Sequence, residues 1–113
     1  MKINVPLNQD GKTAYVNFIV TWSGNPSRPY GVHFTLTSNG FEYGTQEISS
    51  SGVLPGDTET FSIQVVNDYN VFSWSSSNVW YMYHDDQKRI QSTISPSSGN
   101  FSANNDIHII FNT

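Results

Sequence analysis

Cysteine is absent from the chain, so neither a disulfide framework nor a thiolate metal site is available and stability must come from packing. Charge is scarce as well: Asp, Glu, Lys and Arg supply 12% of the residues, with five basic against nine acidic side chains and a net charge of −4. Neutralising nucleic-acid phosphates takes a clustered basic surface, which this chain lacks, and nucleic acid is therefore excluded as a partner. No apolar run approaches the ~18 residues that span a bilayer, and the residues after Met1 enter polar–apolar alternation without an apolar leader segment. Membrane insertion is not expected, while secretion behind a trimmed export signal stays open; an extracellular, cell-surface or virion-surface setting suits this composition best. Apolar residues nowhere repeat with a helical period over ten positions, so no helix beyond a single turn is expected.

What the chain does contain is Ser, Thr, Asn and Gln around short alternating apolar segments, in 113 residues that suffice for one domain with one core. Ile3, Val5 and Leu7 alternate as a first strand, which lies at a sheet edge or turns its N side to solvent because Pro6 cannot donate to a ladder. Val16, Phe18, Val20 and Trp22 then share one face of a long strand. A proline-rich loop over residues 23–29 follows. Val32, Phe34 and Leu36 lead to Asn39-Gly40, a strong two-residue hairpin signal, with Phe41 and Tyr43 opening the returning strand through Ile48. Residues 53–57 form a turn, and Phe61, Ile63 and Val65 alternate again. Ile90 and Ile94 flank a short strand, residues 95–100 read as a loop, and Ile107, Ile109 and Phe111 close the chain. The expectation is an all-β domain over residues 1–113, a single immunoglobulin-like or jelly-roll-type antiparallel β-sandwich of about eight strands.

Trp22-Ser23-Gly24 is echoed by Trp74-Ser75-Ser76, each followed by an Ile-Ser, a Ser-Gly and an alternating strand, at a period of about 50 residues. Internal duplication is one reading of the echo; weak self-alignment of any Ser- and Gly-rich sandwich is the other.

The densest feature is Phe72 to Tyr83, which holds two of the three tryptophans and two of the six tyrosines. It reads either as two strands split at residues 75–78 or as one long bulged strand. On a regular strand Val79, Tyr81 and Tyr83 face one way and Trp80, Met82 and His84 the other, so one row enters the core and the other is left outside. Large rings with a polar handle stack on sugars while neighbouring Asn and Ser bond hydroxyls. The candidate ligand-binding residues are accordingly Trp80, Tyr81, Tyr83 and Asn78, extended by Tyr30 and Arg28 on the proline-rich loop.

Catalytic chemistry is not legible. Ser73, His84 and Asp85 can be written as a triad, but among so many serines such a grouping arises by chance, and the signature motifs of hydrolases, zinc proteases and phosphate-binding loops are missing. His33, His84 and His108 all fall on outward parity. Calcium ligands could come from Asp85 and Asp86, from Asn67, Asp68 and Asn70, or from Asn104, Asn105 and Asp106, but Asx residues at such places ordinarily make turns, and neither metal nor cofactor is expected. Asn100-Phe101-Ser102 fits the glycosylation pattern.

Over residues 70–113 the order Phe72-Ser73-Trp74, Ser77-Asn78-Val79-Trp80, Ile94-Ser95-Pro96-Ser97-Ser98-Gly99 and Ile107 to Phe111, then Asn112, resembles the BACON domain. Residues 1–69 depart from that pattern through a long second strand and an extra hairpin. The resemblance implies an immunoglobulin-like, non-enzymatic module of the kind associated with carbohydrate-active proteins or mucin adhesion. Three functions follow for testing: a recognition module for glycan or a cell-surface polymer; a structural protein assembling as a homo-oligomer, such as a virion decoration or fibre component; and an inhibitor or effector that binds another protein.

Overall fold

A computed structural model describes residues 14–23, 30–66, 71–83 and 88–112, for Tyr30 and Tyr83 the backbone alone. Among these residues the chain folds as nine strands and no helix, in two facing sheets. The predicted first strand at Ile3, Val5 and Leu7 and most of the proline-rich loop lie outside the described residues.

The alternation of β1 (Tyr15–Ser23) is realised in full. Val16, Phe18, Val20 and Trp22 are completely buried, while Tyr15, Asn17, Ile19 and Thr21 face outward. A strand this apolar on one side belongs in the middle of a sheet, where both edges are satisfied as well. It pairs antiparallel with β4 (Thr58–Gln64) and parallel with β9 (Asp106–Asn112), and β7 (Thr93–Ser95) completes the order β4-β1-β9-β7. The β1–β9 pair is the one parallel pairing among the described strands of an otherwise antiparallel fold.

The second sheet has the order β3-β2-β5-β6, from β3 (Thr45–Val53), β2 (Tyr30–Ser38), β5 (Phe72–Tyr83) and β6 (Ile90–Gln91), with β8 (Ser98–Phe101) also on β5. The aromatic stretch is thus one long strand. Its outer edge serves two short partners in turn: Phe72 to Ser75 pair with β8, and Trp80 and Tyr81 with β6. Each sheet buries one of the echoed tryptophans, Trp22 in β1 and Trp74 in β5, although the closing strands β4 and β9 both flank β1.

Aromatic rings fill the space between the layers. Phe18 meets Phe41, Trp74 and Phe101 edge-on at centroid distances of 6.1, 5.3 and 6.4 Å. Trp22 meets Phe111 at 5.1 Å, and Phe34 packs on Phe61 and Phe111. These are the geometries that the ring quadrupole favours.

Four local expectations are corrected. Asn39-Gly40 is not a two-residue hairpin: Thr37 pairs with Thr45, and residues 39–44 form a wider connection that drops Phe41 into the core, where it bridges to Val65. Burying a Phe outweighs the short-turn preference of the dipeptide. Tyr43, expected to start the returning strand, is exposed in this connection. Ile90 and Ile94 do not share a strand; the chain crosses between sheets at Ser92, leaving Ile90 in β6 and Ile94 in β7. Finally, Ser98 to Phe101 pair with β5 as a strand instead of looping, which brings the count to nine.

Candidate functional site

Strand β5 decides which rings face where, through an irregularity at Asn78. Facing β2, the register runs Thr37↔Ser75, Leu36↔Ser76 and Thr35↔Ser77, then resumes at His33↔Trp80 with one extra residue in β5. Asn78 takes up the extra residue with φ of 51°, in the left-handed region that Asn tolerates better than most residues. The side-chain parity flips there. Before the bulge Phe72 and Trp74 point inward; after it Val79 and Tyr81 do, half-buried against the core, while Trp80 and Met82 lie in the outward row. Replacing Asn78 by Val should cost about 1–2 kcal/mol, because a β-branched side chain is strained at positive φ, whereas Gly should be near neutral. Urea denaturation of the two variants checks this.

Trp80, though outward, does not offer an open ring. His33 on the adjacent strand β2 stacks on it at 4.9 Å with planes 12° apart, and the Arg89 guanidinium, just ahead of β6, sits 4.4 Å from its ring centroid. One neighbour comes from β2 and the other from the residue just ahead of β6, so the ring is already engaged within the protein. His33 is itself held by Ser49, whose Oγ is 2.9 Å from Nδ1. A Ser–His contact is a nucleophile–base spacing, but among the described residues no carboxylate orients the other ring nitrogen, and the pair lies on an open sheet face.

Of the other residues singled out by sequence, Tyr81 is turned toward the core and does not join Trp80 on the outer face. Tyr30 and Tyr83 are paired backbone to backbone at the end of β2 and β5; their side chains, together with Arg28, His84, Asp85 and Asp86, are outside the described residues. Ser73 is exposed opposite Asn100. Asn78 lines a shallow cleft of about 270 Å³, with Ser76, Gln91, Ser92, Thr93 and Ser97 among its neighbours. The cleft forms where β5 has left β8 and not yet met β6, and single backbone bonds hold its rims: Ser76 N–H to Ser97 O at 2.9 Å, and Ser92 N–H to Val79 O at 2.9 Å.

Beside this cleft runs a feature that alternation alone did not reveal. Thr45, Thr37, Ser75 and Ser98 stand opposite one another across four strands, all exposed on the outer face. At about 4.8 Å per strand they make a hydroxyl row of about 14 Å. Thr37 and Thr45 hydroxyls lie 3.4 Å apart, and Ser73 with Asn100 adds a second polar pair one step along β5 and β8. The row Glu47–Thr35–Ser77 separates it from Ser49–His33–Trp80–Gln91. His33, Arg89 and the hydroxyl row were missed because the signal for them is cross-strand register, which no single strand carries.

Asn105, one of the conceivable calcium ligands, instead accepts hydrogen bonds from the backbone N–H and hydroxyl of Ser102, the local turn chemistry of an Asx residue. Asp106 accepts from the Asn17 amide at 2.9 Å. Away from the polar face, Glu42 holds the exposed Tyr43 phenol above its ordinary pKa, first by their hydrogen bond and then by its charge.

Fold and surface together define a small β-sandwich with one hydroxyl-rich sheet face and a polar cleft beside it. The chain matches no family model, no curated protein and no solved structure.

Proposed function

We propose that the protein is a non-enzymatic recognition module that binds a neutral glycan or similar hydroxylated surface polymer along the outer face of the β3-β2-β5-β8 sheet. The observation that carries this reading is the in-register row Thr45–Thr37–Ser75–Ser98 next to the Asn78 cleft. Hydroxyls donate and accept alike, so a flat row of them matches a polymer whose own hydroxyls do the same, and the short side chains lose little rotamer entropy on binding. Trp80, in contact with His33 and Arg89, acts in this reading as a rigid ring beside the row, beyond the intervening Thr35 and Ser77, instead of a stacking platform. The resemblance of residues 70–113 to BACON domains points the same way.

A glycan and polysaccharide array, with each hit measured in solution, is the direct test. Ser75→Arg puts a long charged side chain in the middle of the row at an exposed position, where the fold should tolerate it within about 0.5 kcal/mol. Binding is expected to fall at least tenfold in that variant with the thermal midpoint unchanged. Silence across diverse polysaccharides would overturn the reading. If the protein then sedimented as a concentration-dependent oligomer, the apolar residues Tyr15, Ile19 and Ile110 on the opposite sheet would become the candidate interface of a self-assembling surface protein.

A further inference from the structure

Among the described residues β3, β4, β6, β7 and β8 form the sheet edges, and all but β3 carry a guard against pairing with another chain. Short strands, inward charges and covering loops are the devices by which β proteins keep their edges from joining. β6, β7 and β8 run for only two, three and four residues. On β4, Glu59 stands opposite Val20 and so has the inward parity, and one end of the strand is already covered, Glu42 N–H bonding Gln64 O and Val66 N–H bonding Gly40 O. β3 has no such device over residues 45–50. That stretch contains no Pro and no Lys, its one charge, Glu47, lies on the outer face, and its ladder to β2 stays regular until the shift beyond Ser50.

The backbone groups left open on β3 can be named. Ser38 N–H donates to Gly44 O at 2.9 Å, so by alternation the pairs that exchange bonds with β2 are Leu36–Gln46 and Phe34–Ile48. The hydroxyl contact of Thr37 with Thr45 at 3.4 Å and that of His33 Nδ1 with Ser49 Oγ at 2.9 Å mark the intervening pairs, in which side chains come nearer and the backbone bonds point away. Glu47 and Ser49 therefore turn both N–H and C=O to the open side, whereas the Thr45 N–H is already bonded to Tyr43 O at 2.8 Å.

A row of alternating donors and acceptors is completed by another extended strand, and a second copy of β3 fits it in one register. A two-fold axis perpendicular to the sheet runs the two strands antiparallel and keeps their outer faces on the same side. With the axis at Glu47 the two carboxylates would face each other; at Gln46, Glu47 would face Thr45, whose N–H is taken; at Ser49, Glu47 would face Ser51 in the irregular stretch. With the axis at Ile48, Glu47 lies opposite Ser49 of the second copy, and each such pair exchanges both N–H···O bonds with no like charges opposed. The Ser49 hydroxyl can then donate to the Glu47 carboxylate of the second copy while keeping its contact with His33. We propose that β3 is a self-association edge, joining two copies through residues 45–50 into one continuous sheet about a two-fold axis at Ile48. One strand per copy makes a contact well under the ~1,600 Å² of a standard interface, so a monomer–dimer equilibrium is expected and not an obligate dimer. The assignment stands on the edge alone and holds whether or not the sheet face binds glycan.

Sedimentation equilibrium of the full chain from micromolar to millimolar concentration tests it, alongside amide hydrogen exchange of the ¹⁵N-labelled protein. Raising the concentration should populate a dimer and slow exchange at Glu47 and Ser49, with less change at Gln46 and Ile48, which are already bonded to β2. Glu47→Pro removes an open-side N–H at a place where an edge strand accepts proline, and should weaken the dimer at least about tenfold. Ser49→Glu, at an exposed position, opposes like charges twice per dimer and should weaken it about tenfold, while Ser49→Lys, facing Glu47, should leave it as tight or tighter. Should Glu47→Pro fail to fold, the opposite responses of the two Ser49 variants carry the test. Ser75→Arg should leave the dimer unchanged, which separates this edge from the sheet-face reading. A strict monomer at millimolar concentration, a dimer indifferent to Glu47→Pro, or equal responses to Ser49→Glu and Ser49→Lys would each overturn the assignment. So would a dimer lost in Ile110→Asp but not in the β3 variants, which would move the interface to the opposite sheet.

Discussion

Phe18→Ala is expected to lower the unfolding free energy by about 3–5 kcal/mol, the range for removing a buried Phe and leaving a cavity. Phe18 is completely buried at the middle of β1 and touches Phe41, Trp74 and Phe101 together. Those three come from the β2–β3 connection, from β5 and from β8, so the cavity would open among elements of the facing sheet and of the chain segment that closes its end. Collapse around the gap is limited because Phe41 also stacks on Phe101, and Phe101 leans on Phe72. With about 4 °C lost per kcal/mol for a domain of this size, the thermal midpoint should fall by roughly 12–20 °C. Ile19→Ala, one position along the same strand but on its outward side, should cost about 1 kcal/mol or less. Equilibrium denaturation of both variants measures the contrast. Equal losses would mean that the two faces of β1 are not inside and outside as described.

A large loss is also expected from adding a single methyl group, in Gly40→Ala. A Cβ built on Gly40 falls 1.7 Å from Cδ1 of Phe72 and 2.4 Å from two further ring atoms, far inside contact distance. Neither side can yield easily. Phe72 is fully buried against Phe101 at a centroid distance of 5.0 Å. Gly40 is held by hydrogen bonds from its N–H to the Ser38 hydroxyl at 3.0 Å and from the Val66 N–H to its carbonyl at 2.7 Å. The cost should reach the upper end of the overpacking range, about 3 kcal/mol or more. Because the cause is a clash between two named groups, the loss should not be additive with a smaller ring-site residue. In the double variant Gly40→Ala/Phe72→Leu the Gly40→Ala step should cost at least 1 kcal/mol less than in wild type, as a double-mutant cycle by urea denaturation would show. An additive result would assign the glycine to chain flexibility instead of to the ring lying on it.

Gly40 also shows why a local signal can be right about a residue and wrong about its use. Asn-Gly marks a turn in sequence, and a turn is what residues 39–44 contain. The glycine is needed there for the close approach of Phe72, a residue more than thirty positions away, and not to close a two-residue hairpin. The same holds for Asn78. Its type is that of a loop residue, and it sits within a twelve-residue strand because a bulge there needs positive φ. Once the parity of β5 flips at that bulge, a strictly regular alternation from Phe72 would place Tyr81 and Val79 outside, whereas they pack inward.

The candidate site was legible to a smaller extent. Asn78 and Trp80 were both reached by reading the aromatic stretch, and both sit at the outer face or its cleft. Tyr81 was reached by the same reasoning and lies on the other side of the strand. The covering of Trp80 by His33 and Arg89 joins residues from three separate segments, and no spacing within one segment encodes it.

By itself, the sequence determined the layered all-β character, the inward face of β1 with Trp22 on it and the single-strand candidacy of Phe72 to Tyr83. All of these rest on a side-chain period of two along one strand, which is a local property. Tertiary structure alone decided the strand order with its parallel β1–β9 pair, the flip at Asn78 and the hydroxyl row across four strands. Each of these depends on which strand lies beside which and in what register. That choice is made by the joint burial of distant rings and by hydrogen bonds between distant segments, and alternation within a strand is blind to both.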